Sequence, residues 1–368
     1  MIYNNHSSDT NNWKFLRKIK TKNKIPHAML FHGNEGVGKE LTAIEFAAYI
    51  NCENSLNNFA CRECTSCNKL INNNHEYIDY IFPLPKGKIS SKKDGIDKSF
   101  TEKSLLEYNN ELKQKLNNPF HEISMTGANT ILINSIRGIK KKLYKTTDNN
   151  SFRIIIIFQS EKLCYPNNEA ANSLLKILEE PPNNSIFILV TSKPNLLLDT
   201  IKSRCIELFF PNPSIDFFNN YNDLSEYTDI DLYRLLDGNI KHLKILDSKF
   251  IIEITDLIKD YNKNLINNND EIDLKMISYI SKLTKNNNLL FKIFIQGLKC
   301  YYKDIANLKF NNQYKPIFPF IKLTNTEAIK TSNFNHINII EEFEKDCLIN
   351  LNLQLSLLNL FQKLKANK

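Results

Sequence analysis

The sequence predicts a parallel α/β domain with helices on both faces of its sheet, followed by an all-helical part. Three observations carry that prediction. Phe152–Phe158 (FRIIIIF) holds an unbroken β-branched run, the pattern of a central parallel strand covered on both faces. Strand-like and helix-like stretches alternate between residues 26 and 210. From Ile215 onward the strand pattern fades and helical periodicity takes over.

The elements follow in order. Pro26–Phe31 (PHAMLF) reads as a short buried strand that runs into a Gly-rich turn. Glu40–Ile50 is a helix with Ala43, Phe46, Ala47 and Ile50 on one face. Tyr77–Phe82 is a second strand, and Lys86–Asn118, rich in Lys and Asn with weak periodicity, reads as a surface insertion. Thr130–Tyr144 is expected to be a strand end followed by a helix carrying Ile136, Arg137 and Leu143. Asn168–Glu180 is a helix stopped by Pro181 and Pro182. Ser185–Thr191 (SIFILVT) is a buried strand, Leu196–Ser203 a short helix and Cys205–Phe210 a last strand. Ile215–Ser248 looks like a small helical unit, and the remainder like a helical bundle ending in the periodic Cys347–Leu364. No internal repeat is found.

A chain of 368 residues exceeds what one core organises. Hydrophobic residues at 42% and charged residues at 24% are ordinary for a soluble globular protein. Most of the Asn runs (Asn72–Asn74, Asn267–Asn269, Asn286–Asn288) are expected in loops. No stretch is apolar enough to span a membrane, and the polar Met1–Trp13 lacks the apolar core of a secretory signal, so a cytoplasmic location is expected. The formal charge of +8 suits work near nucleic acid but identifies nothing alone.

The glycine turn reads Gly33-Asn34-Glu35-Gly36-Val37-Gly38-Lys39-Glu40. It satisfies G-x-x-x-x-G-K, in which backbone amides cradle phosphates and Lys39 would neutralise their charge. Strand, turn and helix supply the context that makes a phosphate loop credible. The next position should be Ser or Thr, whose hydroxyl binds magnesium; here it is Glu40, whose charge would repel the phosphates. Thr42 lies two places too far along to substitute. A phosphoryl-transfer site of this class also needs an acid at the end of a hydrophobic strand. After Ile154–Ile157 the chain has Phe158 and Gln159, and Glu161 lies three positions past the expected acid and is expected to face elsewhere. Hydrolysis by this chain is therefore not expected, and retention of ATP or ADP is left open.

Four of the eight cysteines fall at Cys52, Cys61, Cys64 and Cys67. Two short C-x-x-C steps with a fourth thiol nearby match a closed, structural zinc site. A redox C-x-x-C would normally open a helix without extra thiols. His75 is read as a structural or surface histidine, since the thiols already fill four positions. Ser203-Arg204-Cys205 closes the short helix before the last strand; Arg204 could reach a neighbouring subunit's nucleotide or simply form a surface ion pair.

His27–Phe31, the four-cysteine module, Asn172–Pro182 (NSLLKILEEPP) and Ser203-Arg204-Cys205 occur in this order in bacterial clamp loaders. The chain resembles that AAA+ family, its DNA polymerase III delta-prime members more than its gamma/tau ATPase members, over roughly residues 12 to 212. Beyond that it rests on helical content and on Gly238-Asn239-Ile240-Lys241, similar to a worn sensor-2 segment with Lys241 in the usual Arg place. The resemblance implies a RecA-like domain over 1–212 with a zinc insert near 52–67, a helical lid over 213–248 and a helical collar over 249–368. It implies a non-motor subunit of the DNA polymerase III clamp loader, with Arg204 acting in trans and Cys52, Cys61, Cys64 and Cys67 holding zinc. The implied partners are gamma/tau ATPase and delta subunits, and through the assembly the sliding clamp and primer–template DNA. Glu40, Phe158 and Gln159 weigh against a gamma/tau-like motor. A zinc-dependent nucleic-acid module fits less well, since only Arg62 and Lys69 lie near the cysteines.

Overall fold

The structure is a computed structural model that describes residues 2–3, 10–55, 58–143, 151–222, 229–267, 270–286, 288–311, 313–321, 334–347 and 352–366. Met1, most of the polar start, Tyr144, residues 223–228, Asn268, Asn269, Asn287 and residues 348–351 of the last helical stretch lie outside the described residues. The chain divides into two compact units, Met1–Pro213 and Ser214–Lys368.

The first unit is built on a parallel sheet of five strands among the described residues: β1 (Ala28–Gly33), β2 (Ile78–Ile81), β3 (Arg153–Ile157), β4 (Ser185–Thr191) and β5 (Ile206–Phe210), in the order β2-β3-β4-β1-β5. The isoleucine run lies where its composition requires. β3 sits between β2 and β4, with Ile155 paired to Asp79 and to Phe187, and every residue of β3 and β4 is buried. β5 is an edge strand and leaves Ile206 and Phe209 exposed.

Helices α1 (Asn11–Thr21), α2 (Lys39–Asn51), α3 (Thr65–Ile71), α4 (Glu102–Asn117), α5 (Ile133–Leu143), α6 (Glu169–Glu179) and α7 (Asp199–Lys202) join these strands. α6 buries Ala170, Ala171, Leu174, Ile177 and Leu178, the spacing of a single helical face, against Ile155, Ile157 and Leu189 of the core. α1 starts at Thr10, whose hydroxyl accepts the Trp13 amide at 3.2 Å.

Two readings of the sequence need correction. Thr130–Ile133 forms no strand. Single bonds from the Leu84 amide to the Thr130 carbonyl (3.3 Å) and from the Ile131 amide to the Lys162 carbonyl (3.2 Å) take the place of a ladder, and α5 follows directly. The Lys86–Asn118 segment is not wholly superficial. It contains α4, opened by a reciprocal cap between Thr101 and Ser104, and buries Leu112, Lys115 and Leu116 on one face. That face is short and carries a lysine, so its periodicity is weak in the sequence.

All described elements of the second unit are helical: α8 (Ile215–Asn219), α9 (Asp229–Leu235), α10 (Ile240–Leu243), α11 (Ser248–Asn267), α12 (Asp270–Asn286), α13 (Asn288–Phe310), α14 (Phe334–Cys347) and α15 (Leu353–Ala366). Among these described helices none is long and apolar enough to cross a membrane. Its core is aromatic, with the Tyr302 ring stacked 4.3 Å from His336 and the Tyr261 and Tyr302 hydroxyls 2.6 Å apart. Buried polar groups need partners, and Asp304 on α13 has Arg234 of α9, the Tyr314 hydroxyl at 2.8 Å, the Ile317 amide at 2.7 Å and the Phe318 amide. Removing this carboxylate leaves a guanidinium and backbone amides without their acceptor. Asp304→Ala is therefore expected to destabilise the helical unit by about 3 kcal/mol or more, measured by urea unfolding followed by far-UV circular dichroism.

Candidate functional site

The glycine turn leaves β1 and opens α2. Gly36 (φ 71°) and Gly38 (φ 93°) take left-handed conformations that disfavour a side chain. At Gly33 a Cβ would meet the Phe210 carbonyl oxygen at 2.2 Å, so β1 and β5 can approach only with glycine there. Lys39 folds back on its own loop: Nζ donates to the Gly33 carbonyl at 2.8 Å and to the Asn34 carbonyl. The Thr42 hydroxyl donates to the Gly38 carbonyl at 2.9 Å, so it is committed to the helix backbone.

Glu40 meets a residue that sequence reasoning missed. Lys115, only 1% exposed, donates from Nζ to the Glu40 carboxylate, to the Pro119 carbonyl at 2.7 Å and to the His121 carbonyl at 2.6 Å. The same ammonium lies 5.2 Å from the centre of the Phe158 ring. Phe158 is buried and stacks on Tyr80 with centroids 5.9 Å apart. Gln159 takes a left-handed φ of 49° and donates its side-chain amide to the Ile123 carbonyl at 2.9 Å. Glu161 turns to the end of β4, where its carboxylate accepts the Thr191 hydroxyl at 2.6 Å. The three departures from a phosphoryl-transfer pattern, Glu40, Phe158 and Gln159, all touch residues 115–123. The one signal available beforehand was the uncompensated charge of Glu40 beside Lys39, and it does not say where a partner lies.

The cysteines converge. The Sγ atoms of Cys52, Cys61, Cys64 and Cys67 all lie within 4.8 Å of one another, with Cys52–Cys64 and Cys61–Cys67 each at 4.0 Å. Zinc–sulfur bonds of about 2.3 Å in a tetrahedron require sulfurs roughly 3.8 Å apart, so the set fits one ion with little adjustment. Arg62, at φ 70°, turns the chain so that the Cys64 and Glu63 amides point at Cys61 Sγ (3.2 and 3.4 Å). Burial opposes ionisation of Cys61, but those amides together with the Cys64 and Cys52 thiols outweigh it and bring the thiol down to about 6. Burial instead pushes the Cys52 and Cys67 thiols up. A divalent cation among the four would offset that penalty. His75 stands beside the cluster: Nε2 is 2.9 Å from the Ser66 hydroxyl and Nδ1 accepts the Tyr77 amide at 3.2 Å. Burial, helped by the Lys69 charge, lowers its pKa to about 4 and keeps the ring neutral.

Arg204 lies just beyond α7. Its guanidinium donates to Glu179 Oε1 at 2.8 Å and to the Thr200 carbonyl at 2.9 Å, with its side chain 34% exposed. An ion pair this open contributes about 0–1 kcal/mol and can exchange partners readily. Lys241 belongs to the second unit, on α10, whose N-terminus Asn239 caps by accepting the His242 amide at 3.1 Å.

A family model described as DNA polymerase III, delta subunit, matches residues 8–214, more than half of the chain. The chain is similar to DNA polymerase III subunit delta' of Bacillus subtilis, with 30% identity over 199 residues, covering 54% of this chain and 46% of that protein. It is similar to subunit gamma of Buchnera aphidicola subsp. Schizaphis graminum at 27% identity, covering 72% of this chain and 54% of that protein. Subunit delta' of the same Buchnera is 23% identical over 327 residues, 88% of this chain and 81% of that protein. With several of these relatives the chain spans about half of their length or less. The matched residues cover the parallel sheet, the glycine turn and the cysteine cluster, and the chain accordingly belongs to the DNA polymerase III delta-subunit family of clamp-loader proteins.

Proposed function

We propose that this chain is a non-motor subunit of the DNA polymerase III clamp loader, helping to place the sliding clamp on primed DNA. The observation that carries the reading is the state of its own phosphate-loop site. Glu40 is paired with Lys115, and Phe158 and Gln159 occupy the positions where magnesium and the attacking water would need acids. A phenyl ring cannot ligate a metal, and a neutral amide cannot accept a proton from water. The chain's contribution is then made to a neighbour. Arg204 would leave Glu179 and reach the nucleotide of an adjoining gamma/tau-type ATPase, where a guanidinium stabilises charge that develops in the transition state.

The four cysteines would hold a structural zinc, which supplies a cross-link between the end of α2 and the start of α3 and no open position for chemistry. The second unit would serve as lid (213–248) and collar (249–368), contacting other loader subunits, delta among them. Primer–template DNA and the clamp would be met through the assembly, in the cytoplasm. The competing reading is a gamma/tau-like motor, favoured by the similarity to gamma and tau subunits. It requires Glu40, Phe158 and Gln159 all to be bypassed.

DNA- and clamp-stimulated ATP turnover separates the two. The isolated chain is expected to be silent, and a reconstituted loader carrying Arg204→Ala to turn over roughly tenfold slower or worse than wild type. Turnover by the isolated chain would return the motor reading, and an unaffected Arg204→Ala loader would remove the trans role. For the metal, the native chain is expected to carry about one zinc, measured by elemental analysis, and Cys64→Ser to lose it. Trp13, the only tryptophan, stacks on Phe59 at 4.9 Å. Chelation is therefore expected to change tryptophan emission and to open residues 52–67 to protease while subunit assembly survives.

A further inference from the structure

We infer that the insertion between β2 and α5 locks the phosphate-loop site from within, the Lys115 ammonium serving as a resident counter-cation in place of a metal ion. The inference deepens the non-motor reading and rests on it for the identity of the site.

In a working site of this class, the residue after the loop lysine and the residue ending the strand share one magnesium ion. Here those positions are Glu40 and Phe158, and they share one ammonium: Lys115 bonds the Glu40 carboxylate and lies over the Phe158 ring. Charge and surface both match the occupant. The carboxylate that would repel a phosphate pairs with a cation, and the ring that cannot ligate a metal offers its negative face to that cation.

The donor count closes the site. An ammonium has three N–H donors, and Lys115 finds three acceptors in Glu40, Pro119 and His121. None is left over for a phosphate. Lys39, whose charge would otherwise meet the ligand, is turned onto the Gly33 and Asn34 carbonyls. The far end of the insertion is held as well, since Gln159, in the position of the water-activating acid, bonds the Ile123 carbonyl. The residues that differ from a hydrolytic site thus bind a segment that has no other assigned role. The last turn of α4 places Lys115 where the helix dipole also favours positive charge.

The test is thermal unfolding of the full chain as wild type, Glu40→Gln, Lys115→Met and the double variant, each with and without millimolar magnesium–ATP or ADP. Hydrogen exchange of the amides of residues 33–40 is followed in parallel. The expected results are a wild-type Tm unmoved by nucleotide and a drop of about 5 °C or more for Lys115→Met. The double variant should lose less than the sum of the single variants, and loop amides should exchange at least roughly tenfold faster without Lys115. If Lys115→Met does not fold, Glu40→Gln read by loop exchange carries the same test. A wild-type Tm raised several degrees by magnesium–nucleotide would overturn the lock. So would additive losses with unchanged loop exchange. The two readings fail separately: additivity removes the lock alone, whereas ATP turnover by the isolated chain removes the non-motor reading.

Discussion

Four isoleucines in a row, Ile154–Ile157, are fully buried in the middle of the first unit, and the sheet is organised around them. Each such side chain contributes about 1.5–3 kcal/mol on burial, a gain available only if both faces of the strand are covered. That condition places β2 and β4 on either side and helices above and below. It also decides where the chain leaves the sheet. In open parallel sheets, ligands gather beyond the carboxyl ends of the strands, so the residues following β3 must face whatever follows β1. In this chain they are a buried ring and an amide, and the end of the strand becomes a packing surface where a metal site would otherwise form.

The insertion is the complement of that surface. A buried ammonium is tolerable only if paired and hydrogen-bonded on every side. Lys115 meets the requirement with one carboxylate from α2 and two carbonyls from the turn that follows α4. The dependence is one-sided. Glu40 is 29% exposed and stands in the first turn of α2, where amide dipoles favour a carboxylate, whereas Lys115 without Glu40 would be a charge inside the protein lacking its counter-ion. The contact therefore orders the segment as well as the loop, which gives a run rich in Lys and Asn a defined path across the domain.

The cysteine cluster and Arg204 show a different balance. The cysteines are drawn together by short-range backbone geometry, with Arg62 in a left-handed conformation and amides aimed at sulfur, so the module is nearly self-contained. Trp13 on Phe59 fastens it to α1. Arg204 is held by the Thr200 carbonyl and by an exposed partner, Glu179, from the helix that ends before Pro181. The trans role proposed for Arg204 would require it to change partners, and so weak a tether permits that.

Much of this was legible in the residues themselves. Periodicity located the strands at Pro26–Phe31, Tyr77–Phe82, Phe152–Phe158, Ser185–Thr191 and Cys205–Phe210 to within two or three residues, because each is a local apolar run with nothing competing for it. The glycine turn and the cysteine spacing were legible for the same reason: their chemistry is carried by neighbours in the chain. The expected strand before α5 was not formed, since two apolar residues in a loop can be buried by single bonds as well as by a ladder. Composition and local order determined the sheet, the turn, the cluster and the absence of an acid at Phe158 and Gln159. Tertiary structure alone decided what lies against those residues and Glu40. Lys115 stands 75 positions from Glu40 on a helix whose period is faint, and a pairing set by the burial of one charge against another leaves no trace in the residues on either side.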